Sequence, residues 1–414
     1  LYNQNHKKGD ILKNIKRKII KISLIILVLL ITIFSLYKLI SFLKIKTARI
    51  EVVLQDDLTL EFLDNAKISD FIKSINGTIV DDEVIDSTKI GEKTISFSYI
   101  NDDGVKVPFK FKINVVDSVA PVIWLNNSYT ITKGNDFNIS SILCGDNEDS
   151  NPNCYIEGEY DYNEVGTYPL TFKAVDESGN IATKEFNLNV IEPKKNSTNN
   201  IGTPTYTSFS DVYENYKNEN TKIGIDVSGY QGDIDFEKIK NAGVEFIIIK
   251  VGGTKKSSGE YYVDSKFIQN ITLASEMGLD VGIYFFSYAN SNSLAKKDAL
   301  WVLDQIKDYK VTLPIAFDWE DFQNFNDYNL SFFGLTDMAN TFLDTITEHG
   351  YEGMIYGSKS YLEKIWLPTN YDTWLAHYTK QTNYEKEYKF WQICDDGQID
   401  GIDGAVDIDI MYVD

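Results

Sequence analysis

The sequence predicts a multidomain chain: a transmembrane helix at the N-terminus, two small all-β sandwiches, and a C-terminal irregular α/β barrel of the (β/α)5β3 type. Three observations carry this expectation. A charge-free apolar run follows a basic start, a stretch of alternating hydrophobicity is repeated at a fixed offset, and beyond a polar segment short apolar runs alternate with helical stretches. The expected divisions are 1–47 for the basic tail and anchor, 48–116 and 117–192 for the β-modules, 193–221 for a linker and 222–414 for the barrel. With 414 residues, 43% of them hydrophobic, the chain can bury several cores.

The anchor is read from charge and length together. Residues 1–47 hold ten Lys/Arg and one acid, Asp10. From Ile22 to Tyr37 there is no charge, and with Lys38 snorkelling the run reaches Leu43, roughly 33 Å of helix at ~1.5 Å per residue. Lys7, Lys8, Lys13, Lys16, Arg17, Lys18 and Lys21 precede it, which places the N-terminus in the cytoplasm and the chain after about residue 47 outside. A cleaved signal would show a shorter apolar region and a small-residue cleavage site; "SFLKIKTARI" follows instead, so an uncleaved single-pass anchor is expected.

Beyond the tail the chain is strongly acidic. The formal charge is −21 overall, and without the basic tail roughly −30 remains, which argues against a nucleic-acid partner because phosphates need a basic face. Three His and no paired Cys/His spacing give a metal site no support, and no cofactor is expected.

The β-modules are read from an internal duplication. Ile90–Val116 aligns without a gap on Val165–Ile191, so that Gly91 meets Gly166, Phe97 meets Phe172, Gly104 meets Gly179 and Phe111 meets Phe186. In each copy an alternating run ("TISFSY", "PLTFKAV") leads through a polar Gly turn into a second alternating run, a hairpin pattern. With "DSVAPVIWLN" and "NEVGTYPLTFKAVDESGNIATKEFNLNV", the second copy resembles the bacterial immunoglobulin-like modules of surface proteins, which implies a spacer, with glycan or protein binding as the alternative. Cys144 and Cys154 flank "GDNEDSNPN"; outside the cell a loop-closing disulfide between them is expected, two free buried thiols being the alternative. Cys394 reads as a small buried hydrophobe.

After the polar stretch "EPKKNSTNNIGTPTYTS", apolar runs at "IGIDVS", "EFIIIKVGG", "DVGIYFFSYA", "LPIAFDWE" and "EGMIYGS" alternate with helical stretches near 234–242, 264–277, 292–308, 331–349 and 358–366. "TWLAHY", "YKFWQI" and "AVDIDIMYV" follow without convincing helices between them. In such a barrel chemistry sits at the C-terminal strand ends, where Asp226, Tyr288, Asp318 and Glu320 fall. Residues i and i+2 of a strand share a face, so Asp318 and Glu320 project together and Trp319 points toward the helices. Two carboxyls in one cleft cannot both ionise freely, so one pKa is expected to rise, as a general acid near neutral pH requires. Asp407 opens the last apolar run, which would put it at the wrong end of a parallel strand; a last strand antiparallel to "KFWQI" brings it to the mouth.

These segments resemble glycoside hydrolase family 25, the Chalaropsis-type lysozymes or N-acetylmuramidases. "GIDVSGYQGDIDF" carries Asp226, Ser228 and Gln231 in the family's D-x-S-x-x-Q arrangement, "AFDWED" its D-x-E strand, "WLAHY" its W-x-A-x-Y strand, and "FWQICDDGQIDGIDGAVDIDIMYV" its closing segment. The resemblance covers about residues 222–414. It implies that Glu320 protonates the glycosidic oxygen leaving from N-acetylmuramic acid, and that Asp318 either stabilises an oxocarbenium-like centre or orients the substrate's 2-acetamido group. It implies further that Asp226 and Asp407 keep the site polar and adjust the acid's pKa. The sequence departs from the family with Lys250 where many relatives carry Arg and Phe286 where others carry His.

Sugar-binding surface is expected from Tyr288, Tyr356, Trp374 and Tyr378, with Gln392 bonding an acetamido or hydroxyl group; Trp391 and Phe285 read as core, and Trp374 could be either. The partners implied are peptidoglycan glycan strands and, through the N-terminal helix, a bacterial cell membrane. Two alternatives stand beside a tethered muramidase: a non-hydrolytic wall-binding module, and a glycosidase for another N-acetylated glycan.

Overall fold

The computed structural model describes residues 2–193 and 206–413; the middle of the expected linker, residues 194–205, lies outside them. One helix runs from Tyr2 to Thr47, and its segment Leu24–Thr47, of mean hydropathy 2.5, is long and apolar enough to cross a membrane, with no part of it buried in the protein. The chain divides into two compact units, residues 1–118 and 119–414.

Each unit contains one copy of the duplicated hairpin. Gly91–Asn101 pairs antiparallel with Lys106–Val116, and Gly166–Val175 with Ile181–Ile191. The register is the same in both, Gly91 opposite Val115 and Gly166 opposite Val190. In both, a short strand runs parallel to the hairpin's second arm, Thr59–Glu61 in one and Ser128–Thr132 in the other, giving two four-stranded sheets. A separate two-stranded sheet accompanies each: Val52–Leu54 with Ile72–Ile75, and Val122–Trp124 with Leu143–Gly145. Alternation explains the faces: Ile95, Phe97 and Tyr99 are buried between exposed or half-exposed neighbours, and Leu170, Phe172 and Ala174 repeat the pattern.

Cys144 and Cys154 are joined, with Cα atoms 6.5 Å apart. Closing so short a loop removes denatured-state entropy worth roughly 3 kcal/mol. The double substitution Cys144→Ser with Cys154→Ser is therefore expected to lower the melting temperature of the unit that contains it. A calorimetric scan with no shift would contradict this. Cys394 is buried, and burial pushes its thiol up to about 12, so it is not a nucleophile.

The C-terminal barrel is built from eight strands: β1 (Thr221–Val227), β2 (Phe246–Thr254), β3 (Asp280–Phe286), β4 (Ile315–Asp318), β5 (Gly353–Ser358), β6 (Asp372–Ala376), β7 (Phe390–Gln398) and β8 (Val406–Tyr412). Neighbours from β1 to β7 pair parallel, whereas β8 runs antiparallel to both β7 and β1 and so closes the ring. Helices α1 (Phe236–Ala242), α2 (Phe267–Glu276), α3 (Asn292–Ile306), α4 (Phe332–Glu348) and α5 (Lys359–Lys364) follow the first five strands. The strands are apolar on both faces, as parallel strands covered by helices must be. Ile247, Ile249, Ile283, Ile315 and Phe317 meet the helices in the largest core, while Phe246, Ile248, Ala316, Met354, Phe390 and Met411 form a second cluster inside the ring.

One expectation needs correction. The segment read as linker up to residue 221 contains a short strand, Thr207–Ser208, parallel to β7, and a helix, Phe209–Tyr216. Phe209, Val212, Tyr213 and Tyr216 recur at helical spacing, and Phe209 and Val212 are buried in the barrel's core. This helix is part of the barrel unit.

Candidate functional site

The same period of two that fills the barrel interior with apolar side chains delivers polar ones at its mouth. Moving up each strand by two residues takes Ile248 to Lys250, Ala316 to Asp318, Met354 to Tyr356 and Phe390 to Gln392. On β8 the direction is reversed, so Met411 at the bottom leads to Asp409 and then Asp407. Its antiparallel course sets Asp407 directly opposite Asp226 of β1, and Asp409 opposite Gln392 of β7.

Asp318, at the end of β4, is only 4% exposed, and its Oδ1 has no hydrogen-bond partner among the described residues. Burial, and then the charge of Glu320, hold its pKa well above the usual carboxylate range, while Lys250 opposes the shift. Glu320 is exposed at the mouth, but the protein around its carboxyl still raises its pKa by desolvation, again against Lys250. The two carboxyls are thus not equivalent: one is sealed by the barrel, the other accessible from solvent. Trp319 between them is buried on the opposite side, its indole N–H donating to the Ala289 carbonyl at 3.0 Å.

Across the ring lies a second carboxyl group of three. Asp226, 4% exposed, accepts from Gln392 Nε2 at 2.8 Å and interacts with both Asp407 and Asp409. Burial comes first in raising all three: Asp226 well above its ordinary value, Asp407 up to about 9 with Asp226's charge adding, and Asp409 up to about 8. At neutral pH such a cluster retains protons and shares them by hydrogen bonds. Glu320's charge is among the causes raising Asp407, which ties the two carboxyl groups into one site.

The expected sugar-binding residues are placed unequally. Tyr378 is 52% exposed, its hydroxyl donating to Gln392 Oε1 at 3.0 Å, and Tyr288 is half-buried against Phe286 with ring centroids 5.2 Å apart. Tyr356 is buried and donates to the same Gln392 oxygen at 3.0 Å. Gln392 is therefore committed within the protein, between two tyrosines and Asp226, rather than open to an acetamido group. Trp374, read as either platform or core, is core: at 2% exposure it lies inside the ring, edge-to-face with Tyr284 and Tyr356, and its N–H donates to Asp409 Oδ1 at 2.8 Å. Trp391 and Phe285 are buried in the core between ring and helices.

Sequence reasoning missed Asp409 and Tyr284. The i, i+2 rule that joined Asp318 to Glu320 applies equally to Asp407 and Asp409, so that signal was present. Tyr284 lies on β3 beside Lys250, whose ammonium stands 5.6 Å from its ring centroid and 4.7 Å from that of Phe286. Because Lys250 is the cation opposing both raised pKa values, replacing it by Met removes that opposition. The alkaline limb of the kcat–pH profile, which reports loss of the acid's proton, is then expected to move to higher pH. An unmoved limb would dissociate Lys250 from the pair.

A cavity of about 260 Å³ opens among Asp226, Ser228, Tyr284, Asp395 and Asp407. Asp395 also lines a larger groove of about 690 Å³, bounded by Tyr206, Asp211, Tyr216, Tyr378 and Lys380, which the helix Phe209–Tyr216 helps to wall. The barrel mouth thus sets an accessible carboxyl beside a buried one, with tyrosines around them.

The family description "Glycosyl hydrolases family 25" matches residues 225–402. The chain is 31% identical over 194 residues to uncharacterized protein YegX of Escherichia coli K12, covering 45% of this chain and 68% of that one. It is 26% identical over 189 residues to an autolytic lysozyme of Clostridium acetobutylicum, covering 45% and 54%, and 27% identical over 207 residues to lysozyme M1 of Streptomyces globisporus, covering 44% and 65%. Among solved structures, a family 25 glycosyl hydrolase from Bacillus anthracis is similar with a TM-score of 0.42 and 20% identity, covering 51% of this chain and 95% of that one. Through its C-terminal barrel the chain belongs to glycosyl hydrolase family 25, and it is a glycoside hydrolase of the lysozyme type.

Proposed function

We propose that this protein is a membrane-anchored, extracytoplasmic peptidoglycan hydrolase, an N-acetylmuramidase cleaving the β-1,4 bond between N-acetylmuramic acid and N-acetylglucosamine. The observation that carries the reading is the unequal pair at the end of β4: Glu320 accessible and raised, Asp318 buried beside it. Glu320 donates its proton to the glycosidic oxygen as the C–O bond breaks. With Glu320 protonated, Asp318 loses the neighbouring negative charge that helps hold its own proton, and Lys250 favours its carboxylate, which meets the positive charge that develops at the anomeric carbon, directly or by orienting the 2-acetamido group; water completes hydrolysis with Glu320 recovering its proton. A sugar covering Glu320 strips its remaining water and raises its pKa further, which keeps the acid loaded. Asp226, Asp407 and Asp409 form a proton-retaining wall that spares the dyad additional negative charge.

Asp395 lines both the cavity beside Asp226 and the larger groove, and a glycan strand is read as lying along this side of the mouth. Tyr378 and Tyr288 offer rings to its sugars. The helix Leu24–Thr47 is read as the membrane anchor, with the barrel outside and the β-modules as immunoglobulin-like spacers. To test the reading, the full chain in detergent is given purified peptidoglycan and, separately, chitin oligomers. Soluble muropeptides with untouched chitin oligomers are expected. Turnover of chitin oligomers alone would assign another N-acetylated glycan, and no turnover of either by folded protein would leave a wall-binding module.

A further inference from the structure

We propose that the β-module of residues 119–192 is a working part of the catalytic site: Trp124 and Gly145 are positioning residues that hold the Asp318–Trp319–Glu320 strand end in place. The inference rests on the hydrolase reading above but concerns residues outside the family match, which begins at residue 225.

Two lines of contact connect the module to the dyad. The first is a chain of rings. Trp124 meets Tyr361 of α5 with centroids 4.9 Å apart, Tyr361 stacks on Phe322 at 3.8 Å, and Phe322 meets Trp319 edge-on at 5.0 Å. Lys364 of α5 stands 5.0 Å over the other partner in this contact, Trp124. Trp319 is the residue between the two carboxyls, so its position sets where both strand-end side chains begin.

The second line is the segment Phe322–Tyr328 that follows Glu320. It wraps Trp319 with Phe325 and Tyr328, and Phe325 packs on Phe332 at 5.5 Å. Both phenylalanines close on Gly145: a Cβ there would stand 2.6 Å from Phe332 Cε1 and 2.9 Å from Phe325 Cε1. Glycine is required because the rings occupy a side chain's place. Next to it, the carbonyls of Asp146 and Asn147 accept from the N–H groups of Phe332 and Phe333 at 2.7 and 3.1 Å, satisfying donors that the first turn of α4 leaves open. Leu143 is buried in the barrel's own core, and the Cys144–Cys154 disulfide fixes the strand that carries Gly145. A spacer touching the barrel only through a linker would have none of this.

The experiment uses the full chain in detergent with soluble peptidoglycan fragments, comparing wild type with Gly145→Ala, Trp124→Ala and Trp124→Phe. Only variants with a cooperative melt and an intact disulfide are compared. Because displacements near 1 Å at a catalytic group cost up to about a hundredfold, kcat is expected to fall about tenfold or more in Gly145→Ala and Trp124→Ala, with KM nearly unchanged. Trp124→Phe, which keeps a ring against Tyr361, is expected to recover most of the loss. Folded Gly145→Ala and Trp124→Ala with wild-type kcat, or a loss confined to KM, would overturn the inference while leaving the hydrolase reading intact. An inactive wild type would overturn that reading and this inference together.

Discussion

Glu320→Gln is expected to reduce peptidoglycan hydrolysis by about 10²- to 10⁴-fold, the usual contribution of a positioned general acid, with KM and melting temperature close to wild type. Glutamine keeps the shape and hydrogen-bonding reach of the side chain but has no proton to give. Stability should scarcely change because Glu320 is exposed. Removing it even relieves Asp318, whose raised pKa owes part of its shift to Glu320's charge. Rates of soluble product release by the full chain, beside thermal melts, check this. More than about a tenth of wild-type activity in a folded variant would mean that another group supplies the proton, contrary to the general-acid assignment.

The second large effect is on stability. Asp409 is fully buried, and its pKa is raised to about 8. Below the unfolded value of ~3.9 both states hold the proton and nothing is lost. As pH rises toward about 8 the unfolded chain releases a proton that the native state keeps, so stability falls through this interval, and Asp407, raised to about 9, acts in the same direction. Asp409→Asn abolishes one of these slopes. Its Oδ1 can still accept from Trp374 Nε1, now 2.8 Å from the aspartate, and the amide carries no charge to lose as pH rises. The variant is therefore expected to melt several degrees above wild type at pH 8, on a scale of about 2–4 °C per kcal/mol for a unit of this size, and to match wild type near pH 4. Parallel melting curves across that range would show that Asp409 does not titrate with folding.

Much of the barrel is legible in the sequence because its strands are short apolar runs separated by helical ones, and because a place for Asp407 at the mouth, which the family resemblance implies, requires the last strand to run antiparallel. The duplication likewise shows in the β-modules as hairpins of equal register. What escapes is set by contacts distant in sequence. Trp374 looks like a sugar platform until Asp409, 35 residues away, is seen to take its N–H. Gln392 looks free until Tyr356 and Asp226, 36 and 166 residues away, are found on its amide. The helix Phe209–Tyr216 was hidden by its polar surroundings, although its buried stripe was present. A fragment beginning at Thr221 would remove that helix and strip Phe209 and Val212 from the core, so activity is better measured on the full chain. Nothing local in "LCGDN" announces that Gly145 closes against the loop after Glu320.

The most direct test of the central claim is digestion of purified peptidoglycan by the full chain in ¹⁸O-labelled water, followed by borohydride reduction and mass spectrometry of the new ends. Hydrolysis at the muramic bond predicts the heavy oxygen on C1 of newly formed N-acetylmuramic acid ends, produced by wild type and absent with Glu320→Gln. New ends on N-acetylglucosamine, unlabelled ends, or no new ends from folded wild-type protein would contradict it.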